Sequence, residues 1–407
     1  MHVSFRFIGG ILIIIGTCIG GGILALPVGT SPDGFVTSVI VLFFVWFFMV
    51  LGALLFLEMT QWFPTGSNII SISHGTLGRF GEIVAWIIYI FLCYSLISAY
   101  VAGGGDIIKL FSGKMGFNLA GSISAIIFVL ILGSVVYKGV KSIDIINRWL
   151  MTLKFIALFA IIYMISPHVE MKNLLSGSPK YVTSAISITI TSFGFSLVVP
   201  SLYDYFKGNV RIVRRIIYIG SLIPLCCYIL WMFVIMGSIP AEGDYGLISI
   251  LKSGEATSGL IQSIQKYLNI NSITSISSFF VSICVLTSFL GVSLALSDFF
   301  VDALKLPKTR PGRFKKCLFT FVPPLLIVIF FPRIFVIALS YAGLFVIIQQ
   351  IILPSIIIWK GRYILKIAKG YEVPGGKTGL CLMLIIGIIV FIICALGCLK
   401  FISITTV

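Results

Sequence analysis

Apolar residues fill this chain in long runs, and short polar stretches separate them. A helix needs about 20 apolar residues to cross a bilayer. Eleven runs qualify, at roughly 7–30, 34–60, 81–111, 119–137, 147–166, 181–206, 213–239, 274–304, 315–331, 333–358 and 379–402. The ninth is short, and Pro332-Arg333 is a minimal turn before the tenth. Pro64-Thr65-Gly66, Pro167, Pro240 and Pro374-Gly375-Gly376 punctuate the loops. The longest loop, 240–273, is polar, and its spacing predicts a short amphipathic helix around Leu260–Leu268. The pattern predicts an all-α polytopic membrane protein of eleven transmembrane helices. It forms one integral-membrane domain over residues 1–407.

Two runs are interrupted. The first contains Gly16-Thr17-Cys18-Ile19-Gly20-Gly21-Gly22 between strongly apolar flanks. Lipid cannot satisfy free backbone N–H and C=O groups, so unwound chain at membrane depth survives only where it lines a protein cavity. The sixth run contains Thr191-Ser192-Phe193-Gly194-Phe195-Ser196, followed by Pro200, which removes a helical donor. Five spans separate the two breaks, and an odd number of spans per repeat forces opposite topology. The expected architecture is an inverted five-plus-five repeat, about 7–166 and 181–358, with discontinuous helices one and six. An extra eleventh helix covers about 379–402. Paired interrupted helices mark the binding site of a secondary transporter. The alternative for either break is that its small residues merely let helices pack closely.

Charge adds orientation. The chain carries 29 Lys and Arg against 13 Asp and Glu, yet only 10% of residues are charged. With the N-terminus inside, twenty of these cations fall in inner loops and eight in outer ones (Lys109, Lys114, Lys172, Lys180, Lys252, Lys266, Arg333 and Lys400). That asymmetry favours N-in, C-out. The basic residues do not form one amphipathic face, so a nucleic-acid partner is not expected. The nine cysteines lie mostly in apolar runs and suggest no disulfide framework. His2, His74 and His168 show no metal-ligand spacing. The first run continues past its glycines into further spans and does not read as a signal peptide. No cofactor is expected.

Half-helix ends carry partial charge because their N–H or C=O groups lack intrahelical partners. The N–H groups near Gly20, Gly21 and Gly22 suit a carboxylate. Carbonyls freed near Ser192–Gly194 suit an ammonium. Together they match a zwitterionic amino acid.

Gly16-Thr-Cys-Ile-Gly-Gly-Gly-Ile-Leu-Ala-Leu-Pro27 resembles the first-helix motif of the bacterial aromatic amino acid permeases, the tryptophan and tyrosine permeases. Thr191-Ser-Phe-Gly-Phe195 with Val199-Pro-Ser-Leu202 is similar to their sixth-helix motif, and Thr287-Ser-Phe-Leu-Gly-Val-Ser-Leu-Ala-Leu-Ser-Asp298 to their eighth. Cys18, Gly21 and the polar pair Gln349-Gln350 depart from the pattern. The resemblance implies the amino acid–polyamine–organocation fold in a bacterial inner membrane, and proton-coupled import of an aromatic amino acid. On that fold Thr17 and Cys18 join Gly20–Gly22 in the substrate site. Phe193 and Phe195 occupy the break itself, and Tyr94 and Tyr100 of span three are expected to help enclose the substrate ring.

Lys154 lies about seven residues into span five, roughly 10 Å from the helix end at 1.5 Å per residue. An ionisable group at that depth is a functional candidate by default, with snorkelling to the interface as the alternative. In sodium-coupled proteins of this fold a cation sits between helices one, five and eight. By that resemblance the Lys154 ammonium is expected to replace it, near the carbonyls of Gly16 and Thr17 and the hydroxyls of Thr287 and Ser288, and to couple proton movement to closure. Glu58, Asp106, Asp204, Asp298 and Asp302 lie near span ends and read as structural partners. A serine or threonine permease is the alternative within the class, favoured by a small hydroxyl-lined pocket. An ion channel would need a continuous polar face, and a membrane enzyme would need convergent acid–base groups. Preferred substrate and oligomeric state stay open.

Overall fold

The computed structural model describes residues 2–138, 140–178, 182–305, 307 and 309–405. Asp302 and the cations Lys138, Lys141, Arg148, Lys180, Lys308, Arg310 and Lys400 lie outside the described side chains. Among the described residues every regular element is helical. In order they are α1 (His2–Cys18), α2 (Gly21–Gly29), α3 (Phe35–Thr60), α4 (Ile69–Lys114), α5 (Gly121–Lys138) and α6 (Val140–Ile165). Next come α7 (Met171–Leu174), α8 (Val182–Ser192), α9 (Val199–Tyr205), α10 (Val210–Ser238), α11 (Leu247–Ser253) and α12 (Ala256–Leu268). The chain ends with α13 (Asn271–Ala303), α14 (Arg310–Phe330), α15 (Phe335–Ile347), α16 (Leu353–Trp359) and α17 (Gly376–Thr405).

Each expected span coincides with a helix or a broken pair, but not all are long and apolar enough to cross a bilayer. Among the described residues eight helices are, or nine counting α1 and α2 as one span bent by 46°. The expected fourth span, α5, is a shorter apolar helix. The ninth, α14, opens with cations at Arg313, Lys315 and Lys316, which lower its mean hydropathy. The count of eleven is therefore not fixed by length and composition.

Local chemistry explains several boundaries. Asn68 caps α4 by accepting from the N–H groups of Ile70 and Ser71, and the Ser71 hydroxyl accepts the Asn68 N–H in return. Gly78, at φ 77°, interrupts α4 in a conformation that favours glycine, three residues before the expected span start at 81. The amphipathic helix expected around Leu260–Leu268 is α12, which buries Leu260, Ile261, Ile264 and Leu268. Helix α2 is apolar all round and buried along its whole length, as only a central helix can be. It packs on α8, α10 and α13, while α6 packs on α13 and α4 on α15. At the periphery, α17 exposes Leu382, Ile385, Ile389 and Ile392, a surface suited to lipid.

Three of the acidic residues near span ends, Glu58, Asp106 and Asp204, have structural partners. Glu58 takes Arg362 in a two-point pair at 2.6 and 2.5 Å and accepts the Val373 N–H at 2.7 Å. Glu58 is fully buried and Arg362 nearly so. Gln61 exchanges hydrogen bonds with the Tyr371 backbone, and the Arg214 guanidinium lies 4.5 Å from the Tyr371 ring centroid. The segment after α16 is thereby strapped across the ends of α3 and α10. Asp204 accepts the Gly66 N–H at 2.7 Å, and Asp106 accepts the Thr257 hydroxyl. Arg362→Ala would leave the Glu58 carboxylate buried and unpaired, at a cost of about 3–5 kcal/mol. A clear fall in the melting temperature of the purified protein is expected; an unchanged melting curve would contradict the buried pair.

Candidate functional site

The first break is short. Helix α1 ends at Cys18, only Ile19 and Gly20 leave the helical path, and α2 begins at Gly21. Three consecutive glycines then lie against three other helices. A Cβ at Gly20 would strike the Ser288 hydroxyl on α13, one at Gly21 would lie 2.5 Å from the Tyr100 ring on α4, and one at Gly22 would lie 2.6 Å from the Ser192 hydroxyl on α8. The glycines are needed because three elements converge on one turn of backbone.

The second break runs from Phe193 to Phe195, between the end of α8 and a 3₁₀ turn at Ser196–Val198. Phe193 and Phe195 are fully buried. The backbone N–H groups of the break bond locally, Gly194 N–H to the Thr191 carbonyl at 3.3 Å and Phe195 N–H to the Phe193 carbonyl at 2.9 Å.

Side chains from surrounding helices satisfy what the breaks leave open. The Tyr228 hydroxyl of α10 lies 2.6 Å from the Cys18 carbonyl and 2.9 Å from the Ser192 carbonyl, so one hydroxyl joins both breaks. It has one proton for two acceptors. The Phe193 ring meets the Tyr228 ring edge-on at 5.3 Å. At the start of α2 the Gly21 N–H donates to Ser288 Oγ at 3.1 Å. The Gln350 amide donates to the carbonyls of Met49 and Phe193 at 3.1 and 3.3 Å. Lys154 is fully buried and donates to the Ile19 carbonyl at 2.5 Å and to Thr287 Oγ1 at 3.3 Å. Thr287 in turn donates to the Ile283 carbonyl, leaving its lone pairs for the ammonium.

Most residues expected at the site do converge: Cys18, Gly20, Gly21, Gly22, Tyr100, Ser192, Phe193, Gly194, Phe195, Lys154, Thr287 and Ser288 all lie on or against the two breaks. Three do not. Gly16 is packed against the Met151 side chain and does not give its carbonyl to Lys154. Thr17 is exposed and bonds its hydroxyl to the Ile13 carbonyl of its own helix. The partner of Lys154 is Ile19 because α1 stays helical to Cys18, two residues further than Gly16–Thr17 implied. Tyr94 donates to the Phe319 carbonyl of α14 at 2.8 Å and packs near Phe300, away from both breaks. Ser288 also takes a different place, since it caps α2 rather than joining the Lys154 contacts. Sequence reasoning missed Tyr228, which stands in an ordinary apolar run. The polarity of Gln349-Gln350 was visible, but the carbonyl it serves was not.

Comparison with known proteins follows the same outline. The model of the tryptophan/tyrosine permease family matches residues 4–394. The chain belongs to this family. "Tyrosine-specific transport system 1" of Haemophilus influenzae is 32% identical over 388 residues, covering 95% of both chains. The "Tryptophan-specific transport protein" of the same organism is 31% identical over 95% of this chain and 94% of its own. The "Low affinity tryptophan permease" of Escherichia coli (strain K12) is 30% identical over 87% and 86%. Among solved structures, MhsT in complex with L-phenylalanine superposes with a TM-score of 0.65 at 14% identity, covering 96% of this chain and 98% of that one. That likeness concerns the fold. The protein is thus a multi-pass membrane permease, not an enzyme.

Tyr228→Phe removes the hydroxyl and keeps the ring. Leaving two buried carbonyls with a lost donor is expected to cost about 1–3 kcal/mol and to speed amide exchange at 193–195. Exchange there that matches the wild type would show that Tyr228 does not hold the breaks.

Proposed function

We propose that this permease imports tyrosine or tryptophan with protons by alternating access across a bacterial inner membrane, with its N-terminus cytoplasmic and its C-terminus periplasmic. The observation that carries the reading is the stacking of the two breaks, Gly22 against Ser192 with Tyr228 between the carbonyls of Cys18 and Ser192. This places helix N–H groups beside freed carbonyls, an arrangement suited to a carboxylate and an ammonium on one carbon.

In this mechanism the substrate carboxylate binds at Gly20–Gly22. It takes the Gly21 N–H from the neutral Ser288 hydroxyl, since a charge-assisted bond is the stronger. The ammonium binds at the carbonyls near Ser192–Gly194, where Tyr228 supplies only one proton. The ring packs among Phe193, Phe195 and Tyr100, a buried aromatic surroundings that favours an aromatic over a serine side chain. Lys154 couples the proton. Protonated, it ties α6 to the α1 break and to α13 through Ile19 and Thr287. Deprotonated, it loses its charge and weakens that tie, which frees the first break to reopen. The names of the relatives, tyrosine-specific and tryptophan-specific, support the substrate class.

Uptake into proteoliposomes tests the reading. Labelled tyrosine or tryptophan is expected to accumulate when the outside is made acidic, and serine is not. Uptake of none of the three would overturn the substrate assignment. In Lys154→Met, accumulation driven by the pH gradient is expected to vanish while exchange across equal pH persists. Undiminished gradient-driven accumulation would remove Lys154 from coupling.

A further inference from the structure

The first two turns of α10 carry three arginines on one face. Arg211, Arg214 and Arg215 stand at i, i+3 and i+4, and Tyr218 follows one turn on. These four residues line a cleft of about 300 Å³, the lower end of the range for small-ligand sites. Arg211 and Arg215 are exposed, while Arg214 is half-buried and stacks on Tyr371. The Arg214 Nε is buried without a hydrogen-bond partner. Among the described residues none of the three guanidinium groups is paired with a carboxylate. Arg362 is the contrast, since it takes Glu58 at two points.

Helix α10 itself gains nothing from this charge. Cations near a helix N-terminus oppose the macrodipole, and the first turn of α10 has no acidic residue to offset them. A planar guanidinium matches phosphate oxygens at two points, and it is weakly hydrated, which suits an apolar boundary.

Position narrows the source of the phosphate. Helix α10 has 29 residues. It is thus about 43 Å long, against roughly 30 Å of hydrocarbon, so its first turns stand at headgroup level. Beyond the cleft the same side of the helix continues as Ile219, Leu222, Ile223 and Cys226, all exposed. Acyl chains can lie along that surface while the headgroup reaches the arginines. With the N-terminus cytoplasmic, as proposed above, this end of α10 meets the inner leaflet.

We propose that the cleft binds the phosphate of an anionic phospholipid. Arg211 and Arg215 hold the phosphate oxygens, and Arg214, anchored on Tyr371, adds its charge from the inner wall. Basic pockets between membrane helices recognise headgroups in this way. The site is separate from both helix breaks and takes no part in the transport steps described above.

The test uses the full-length protein, purified in detergent and stripped of lipid, with bound lipids counted by native mass spectrometry. The wild type is expected to retain phosphatidylglycerol over phosphatidylcholine by about tenfold or more. Arg211→Gln/Arg215→Gln removes two exposed charges and is expected to bring the two lipids to near-equal retention. Lys305→Gln/Lys315→Gln removes the same charge from exposed positions flanking the start of α14 and is expected to keep the wild-type preference. Equal retention of both lipids by the wild type overturns the proposal. So does an equal loss in the lysine pair, which would make the preference an effect of overall charge. Inorganic phosphate and glycerol 3-phosphate are expected to leave phosphatidylglycerol bound; displacement by either would assign the cleft to a soluble phosphate and overturn the lipid. Transport does not enter the readout, so the result is independent of the functional reading.

Discussion

Backbone polar groups freed at membrane depth must find partners inside the protein, and the rest of this structure follows from that need. Two helices stop midway, at Cys18 and Ser192, and side chains from four other helices close the gap. Lys154 of α6 takes the Ile19 carbonyl, Ser288 of α13 takes the Gly21 N–H, Tyr228 of α10 takes the carbonyls of Cys18 and Ser192, and Gln350 takes that of Phe193. Each of these bonds holds a break closed, and each is one that an ion or a zwitterion would compete for. The same groups therefore serve stability and the proposed exchange of partners.

The surroundings are built to hold this junction. Glycines at 20, 21 and 22 bring α13, α4 and α8 to within contact of one turn. The buried Glu58–Arg362 pair and the strap through Val373 and Tyr371 fix the far ends of α3 and α10. At each break the regular helical hydrogen-bond ladder is interrupted. Local stability of that kind is where motion is expected to concentrate.

Much of this was legible in the sequence because the membrane makes few solutions possible. Apolar run lengths located the helices, the glycine cluster and the Ser192–Phe195 stretch located both breaks, and a lone lysine in an apolar run marked the buried cation. What escaped had a physical reason. Two residues of extra helix in α1 turn the backbone by about 200°, so the carbonyl offered to Lys154 became that of Ile19 and not of Gly16 or Thr17. Tyr94 and Tyr100 share a helix but face different neighbours, and only Tyr100 meets the break. Tyr228 carried no sequence signal, because a tyrosine in an apolar run reads equally as packing or as an interface residue. The shortness of α5 and the cations opening α14 likewise blur the boundary between a span and a buried helix.

The central claim is that one amino acid replaces these internal partners at both breaks at once. An experimental structure of the protein with bound L-tyrosine tests it most directly. The account predicts the carboxylate within hydrogen-bond distance of the Gly21 N–H in place of Ser288, with the ammonium on the carbonyls near Ser192. A carboxylate held elsewhere, with the Gly21 N–H still on Ser288 and both breaks unchanged, would contradict it.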